Sequence, residues 1–170
     1  EFNQADVVIC GYETFPNGKK SYFNYYSDKP LTPYEFIKYN KKIHSHGDLC
    51  FSWRYVYKKE LIDSKNIKFN EDIKIGEDVI FNLEVIMESN RICTINDTLY
   101  YYRTNRVNSL MRTPYKPFLE EHLKLQYNEK IRLSKKYGLD KIDDWMEDLS
   151  YCYIYGFKSM LLENLYKGKC

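Results

Sequence analysis

Hydrophobic and polar positions follow two different rhythms along the chain. Short alternating or continuous apolar runs dominate as far as about residue 115, and beyond Pro117 apolar residues recur at three- and four-residue steps. Ala5–Tyr12 and Ser21–Tyr26 are β-branched or aromatic runs. Pro16-Asn17-Gly18 between them supplies the positive φ angles of a tight turn, so the two runs predict a β-hairpin. Thr32 can cap free amides and Pro33 suits a first turn, which predicts a helix from Pro33 to Ile43.

The polar stretch His44–Asp48 contains Gly47 and predicts a loop. It leads into the aromatic and basic segment Phe51-Ser52-Trp53-Arg54-Tyr55-Val56-Tyr57-Lys58, after which Ile67 and Phe69 alternate with polar residues as a short strand does. From Gly76 to Ser89, Val79, Ile80, Leu83, Ile86 and Met87 share one face of a predicted helix whose start carries Gly76-Glu77-Asp78. Arg91–Ile95 and Thr98–Arg103 read as two strands of a second hairpin around the turn-forming pair Asn96-Asp97. In the last third, Leu119, Leu123, Tyr127 and Ile131 form one helical stripe, and Ile142, Trp145, Leu149, Cys152, Gly156 and Met160 form another. The break at Tyr137-Gly138-Leu139 makes them a helical hairpin. The expected fold is α+β: short strands, hairpins and amphipathic helices over residues 1–115, then a helical hairpin over residues 116–170 that packs on the first part or joins two copies in a homodimer.

Composition sharpens this reading at a few points. With 170 residues, 44% of them hydrophobic, the chain can bury one sizeable core. A formal charge of +2 lacks the basic footprint that nucleic-acid binding requires. Cys10, Cys50, Cys93, Cys152 and Cys170 are scattered and in no C-x-x-C spacing, which fits inert thiols in a reducing cytoplasm. No run approaches the roughly 20 apolar residues of a spanning helix. The absence of an initial methionine before the strand-like Val7-Val8-Ile9-Cys10 gives the expectation of a piece whose beginning lies upstream. Eighteen tyrosines lift aromatic content to 17%; such rings with hydroxyls suit sugar-binding surfaces and half-buried strands alike.

Adjacent carboxylates at a helix start have two readings. Glu77 and Asp78 can be capping acids favoured by free amides and the helix dipole. Alternatively, Asp78 is a general base, since a positioned carboxylate can take a proton from a hydroxyl. His44 and His46 lie one residue apart in a loop without a third metal ligand at suitable spacing, and His122 reads as an ordinary helix residue.

Taken in order, Ser52-Trp53-Arg54-Tyr55-Val56-Tyr57-Lys58-Lys59, Ile67-Lys68-Phe69, Gly76-Glu77-Asp78-Val79-Ile80-Phe81, Leu99-Tyr100-Tyr101-Tyr102-Arg103 and Ser109-Leu110 resemble the second half of bacterial family 2 glycosyltransferases of the GT-A type. Ala5-Asp6-Val7-Val8-Ile9-Cys10 resembles the strand that follows their metal-binding motif, and the similarity covers about residues 5 to 112. The resemblance implies that residues 1–115 are the acceptor-side part of such a domain, with Asp78 the base of an inverting displacement and Glu77 an acceptor-binding neighbour. Trp53, Arg54 and Tyr55 would shape the acceptor pocket, or else pack structurally with a surface arginine. Tyr100, Tyr101 and Tyr102 read as a strand with alternate rings in the core, while Arg103, Arg106 and Arg112 could contact a diphosphate.

The family's nucleotide-binding and Asp-x-Asp metal motifs are absent from this sequence. The resemblance therefore implies a divalent metal, Mg or Mn, only in an intact enzyme; this chain alone is expected to bind no metal, to bind nucleotide sugars weakly and to be inactive. The implied partners are a nucleotide-sugar donor and a glycan or glycolipid acceptor, in the cytoplasm or at the inner face of the membrane, in cell-surface polysaccharide synthesis. The competing reading is a non-catalytic carbohydrate- or protein-binding module in which Glu77 and Asp78 only cap a helix.

Overall fold

The computed structural model describes residues 4–105 and 115–168. Its centre is strand β1 (Val7–Phe15), which pairs antiparallel with β2 (Lys20–Ser21) and β3 (Tyr55–Tyr57) along one edge and parallel with β4 (Ile92–Arg103) along the other. The first hairpin forms, with Tyr12 opposite Ser21, but its second strand is two residues long rather than reaching Tyr26. Beyond Ser21 the chain leaves the sheet so that Phe23 can stack on Phe36 in the core, 5.8 Å between centroids.

Four elements differ from their sequence expectation for identifiable reasons. Asn96-Asp97 makes no hairpin: residues 92–103 form one strand, and the register with β1 slips between Ile9 and Gly11 and again before Tyr12. The turn-forming pair is absorbed as a bulge because β1 offers a full-length partner. At that point a side chain on Gly11 would lie 2.7 Å from the Ser21 carbonyl oxygen, so only glycine lets the three strands pass. Ile67 and Phe69 form no strand; Ile67 is buried, and Phe69 stacks on Phe81 at 4.1 Å. Helix α1 (Pro33–Tyr39) ends four residues before Ile43, with Asn40 as its C-terminal cap, while Thr32 and Glu35 close a reciprocal capping box at its start. Helix α2 (Lys59–Lys65) was not signalled, since only Leu61 of its seven residues is buried.

Helix α3 (Glu77–Glu88) matches its prediction and is buried more fully than one face. Phe81, Asn82 and Val85 join Val79, Ile80, Leu83, Ile86 and Met87 in the interior, between α1, α2 and α4. Asn82 is tolerated there because its amide donates to the Leu49 carbonyl at 2.7 Å and its carbonyl accepts from the Tyr57 hydroxyl.

The C-terminal part comprises α4 (Leu119–Lys136), a short 3₁₀ turn after Gly138, α5 (Asp143–Tyr151), a π-helical stretch (Cys152–Phe157) and α6 (Lys158–Lys167). The inward face of α4 holds Leu119, Leu123, Gln126, Lys130, Leu133 and Ser134, whereas Tyr127 is exposed and Ile131 half-buried. Trp145 and Leu149 are enclosed, but the helix widens after Tyr151 and turns Gly156 outward. Leu133, Leu139 and Trp145 belong to the same apolar cluster as Val7, Phe36 and Leu83, so one core runs across residue 115. No described helix is long and apolar enough to cross a membrane.

Candidate functional site

Helix α3 begins where three parts of the chain meet. Gly76 precedes it at φ +76, the left-handed region that favours glycine, and releases the α3 amides towards a cavity of about 540 Å³. Phe51, Ser52 and Trp53 line one side, Lys74 to Asp78 the floor, Tyr102 another side, and Tyr115 to Phe118 with His122 the last.

Asp78 is fixed by backbone donors. Its Oδ2 accepts from the Phe51 amide at 2.6 Å and its Oδ1 from the Val79 amide at 2.9 Å. Partial burial pushes the carboxyl above the ordinary range; the amides of Phe51 and Val79, and the cation of Lys130, act in the opposite direction without cancelling it. Glu77 is raised as well, by burial first and by the neighbouring Asp78 charge, against amide hydrogen bonds. The helix start thus fixes Asp78, while the balance at both carboxyls runs towards a basic carboxylate rather than a strongly acidic one. A carboxylate has about four lone-pair directions, so Asp78, which lines the cavity, keeps acceptor capacity beyond the amides that hold it.

The Phe51 donor adopts a left-handed backbone conformation, φ 68, as does Phe118 on the opposite wall, φ 62. Non-glycine residues in that region cost on the order of 1–3 kcal/mol each and concentrate where geometry serves a site. Trp53 stacks on Phe51, Tyr100 and Tyr102 at 5.1, 4.3 and 5.1 Å, with Tyr12 edge-on at 5.1 Å. The tyrosines of β4 therefore do not alternate into the core: Tyr100 and Tyr102 build an aromatic wall with Trp53, and Tyr101 points to solvent. The 115–118 wall is held by α6, since Asn164 accepts from the Lys116 amide at 2.6 Å and donates to the Lys116 carbonyl at 2.9 Å.

The structure brings Trp53, Glu77 and Asp78 together and sends other expected site residues elsewhere. Arg54 is not a surface arginine. It is buried beside β1, where Nε donates to the Cys10 carbonyl at 3.0 Å and the guanidinium lies 4.9 Å from the Phe23 ring. Tyr55 is buried too, its hydroxyl donating to the Asp48 carbonyl. Ser52–Arg54 form a single 3₁₀ turn that gives way to β3 at Tyr55, so Trp53, Arg54 and Tyr55 face three different ways. Arg103 is exposed at the end of β4, opposite Phe15, and Arg106 and Arg112 lie outside the described residues. His44 is enclosed against Trp145, whereas His46 is exposed. Among the described residues, no three His, Cys, Asp or Glu side chains converge as metal ligands.

Phe51, Tyr102, His122 and Gln126 were not singled out from the sequence for this site. The first two stand in motifs already notable for aromatic content. His122, Gln126, Lys130 and Ser134 recur every four residues on α4, a polar stripe that an apolar-periodicity argument passes over.

No family model matches the sequence. The chain is 38% identical over 141 residues to the uncharacterized glycosyltransferase EpsJ of Bacillus subtilis (strain 168), an alignment covering 82% of this chain and 41% of that protein. Its fold is similar to the crystal structure of S. aureus TarS 1-349 in complex with UDP, with a TM-score of 0.51 and 17% identity, covering 89% of this chain and 39% of that one. The chain thus spans about two fifths of the length of the curated relative it matches.

Proposed function

We propose that this chain is the acceptor-side part of a glycosyltransferase that moves a monosaccharide from a nucleotide sugar to a hydroxyl of a glycan or glycolipid, with inversion. One observation carries the reading: Asp78, held by two backbone amides and raised in pKa, lines the floor of a cavity with an aromatic wall. The 38% identity to a glycosyltransferase over most of the chain supports it, and the UDP in the similarly folded protein is in keeping with a nucleotide-sugar donor.

In this reading the acceptor sugar lies against Trp53 and Tyr102, and Glu77 accepts a hydrogen bond from it. Its hydroxyl oxygen attacks the anomeric carbon as the proton passes to Asp78, and the bond to the nucleotide diphosphate breaks. A base whose pKa rises from the carboxylate range towards the working pH gains proton-transfer driving force while remaining mostly ionised. Among the described residues no three ligand side chains converge, and in this reading Mg or Mn, with the nucleotide, would be held by a part of the enzyme outside this chain. The chain on its own is inactive in the same reading. Work in polysaccharide synthesis at the cytoplasmic face of the membrane, and homodimer contact through exposed Ile154, Leu162 and Leu165, complete the proposal.

The test is sugar transfer by the full-length enzyme, wild type against Asp78→Asn, with a panel of nucleotide sugars. Loss of a general base lowers turnover on the order of 10²- to 10⁴-fold. Near-normal turnover in the variant would leave Asp78 as a capping residue and remove the mechanism.

A further inference from the structure

The turn that launches α3 is gripped by a hydrogen-bonded chain starting in the C-terminal helices. The Tyr153 hydroxyl donates to Gln126 Oε1 at 2.8 Å, and Gln126 Nε2 donates to the Ile75 carbonyl at 3.1 Å. The direction is set chemically: the Ile75 carbonyl can only accept, so the amide nitrogen must face it and the amide oxygen is left for Tyr153. Gln126 is 4% exposed, so neither bond competes freely with water.

Two features show that this contact is built in rather than incidental. Residue 76 has no side chain where one would collide, since a Cβ there would lie 1.5 Å from Gln126 Nε2. Tyr153 belongs to the π-helical stretch Cys152–Phe157, and its ring is held edge-on by Tyr127 at 4.5 Å and Phe157 at 4.1 Å. π-helical interruptions of α-helices are frequent at functional sites. Here the interruption presents a hydroxyl to Gln126.

We propose that Gln126, oriented by Tyr153, is a positioning residue for Asp78: it fixes the Ile75-Gly76 peptide and thereby the direction in which the Asp78 carboxylate faces the cavity. The proposal rests on the reading of Asp78 as the base. Neither Gln126 nor Tyr153 lines the cavity, so their effect is on geometry and not on binding. A misplacement of about 1 Å at a reacting group can cost roughly 100-fold in rate, so a loosened peptide should be visible in turnover.

The experiment uses the full-length enzyme with Gln126→Met, which keeps the length of the side chain but neither bond, Tyr153→Phe, which removes only the outer bond, and their double variant. Turnover, donor and acceptor KM, thermal midpoint and hydrogen exchange of the amides at 76–79 are measured, with Asp78→Asn alongside. The expected result is a kcat about tenfold lower for Gln126→Met at unchanged KM, a smaller loss for Tyr153→Phe, a double variant no worse than Gln126→Met, and faster exchange at 76–79 in all three. Unchanged exchange, independent additive losses, or normal kcat in Gln126→Met would each overturn the proposal. Full activity of Asp78→Asn would overturn the functional reading instead, and with it the catalytic meaning of the positioning, while the exchange result still decides whether the chain holds the turn.

Discussion

The Phe51 amide and the Asp78 carboxylate, 27 positions apart in sequence, are joined by a 2.6 Å hydrogen bond that ties the aromatic segment to the start of α3. This bond makes Asp78→Asn more than a removal of charge. Asparagine has one oxygen where aspartate has two, so either the Phe51 or the Val79 amide loses its acceptor. The expected cost is about 1–3 kcal/mol of stability, seen as a lower thermal midpoint, accompanying the collapse of turnover. Glu77→Gln is expected to be milder, raising acceptor KM more than it lowers kcat.

Activity should also carry the signature of raised carboxyl groups. A base works only when ionised, so turnover falls as pH drops through the Asp78 pKa, and burial places that limb above the ordinary carboxylate range. A pH–rate profile of the full-length enzyme, with the acid limb weakened or absent in Asp78→Asn, is the expected outcome; an acid limb at an ordinary carboxylate value would contradict the environment described for Asp78.

At Gly76 two penalties coincide in one substitution. Gly76→Ala puts a Cβ on a residue at φ +76 and drives it into Gln126. Together these should cost roughly 2–4 kcal/mol, read by chemical denaturation. Adding Gln126→Ala removes the collision but not the backbone strain, so the double variant should recover part of the loss. Simple additivity would show that the collision relaxes without cost.

His44 predicts a distinct pH dependence of stability. Its ring is enclosed edge-on to Trp145 at 4.2 Å, neither nitrogen has a hydrogen-bond partner among the described residues, and burial, reinforced by Lys130, holds its pKa well below 6.5. Below that pH the unfolded chain takes up a proton that the folded chain does not. Stability therefore falls as pH drops from about 6.5, by up to roughly 1.4 kcal/mol per pH unit. His44→Phe keeps a ring against Trp145 and loses no bond, so its stability curve should be flatter between pH 6.5 and 5 than that of the wild type.

Trp53 separates the aromatic wall from the base. Trp53→Leu retains apolar bulk but removes the stacking face shared with Tyr100 and Tyr102. The expected effect is about a tenfold rise in acceptor KM, equivalent to about 1.4 kcal/mol, with a smaller change in kcat. A fall in kcat alone would move Trp53 from substrate capture to structural support.

What could be read from the sequence depended on whether the signal was local. Thr32 with Pro33, the face of Val79, Ile80, Leu83 and Met87, and the hairpin around Asn17-Gly18 carry their causes within a few residues, and each stands in the structure. Asn96-Asp97 is equally local but misleading, because parallel pairing with β1 outweighs turn preference. Trp53, Glu77 and Asp78 line one cavity, whereas Arg54 and Tyr55 share the Trp53 motif and leave it, since side-chain direction follows the backbone path. Gln126 was legible only as a polar interruption; its role depends on Ile75 and Tyr153, which are distant in sequence.

The parallel pairing of Val7 with Ile92 also sets an order of events during synthesis. Strand β1 leaves the ribosome well before β4, so its longest partner does not exist until the intervening loops and helices have been made. At about 5–20 residues per second that interval lasts on the order of seconds, during which an apolar strand has one edge unmatched. The antiparallel partners β2 and β3 arrive sooner and guard the other edge, so the nascent chain is vulnerable on the β4 side. Chains stopping before Ile92 should accumulate as aggregates, and slower elongation should lengthen the exposure rather than relieve it.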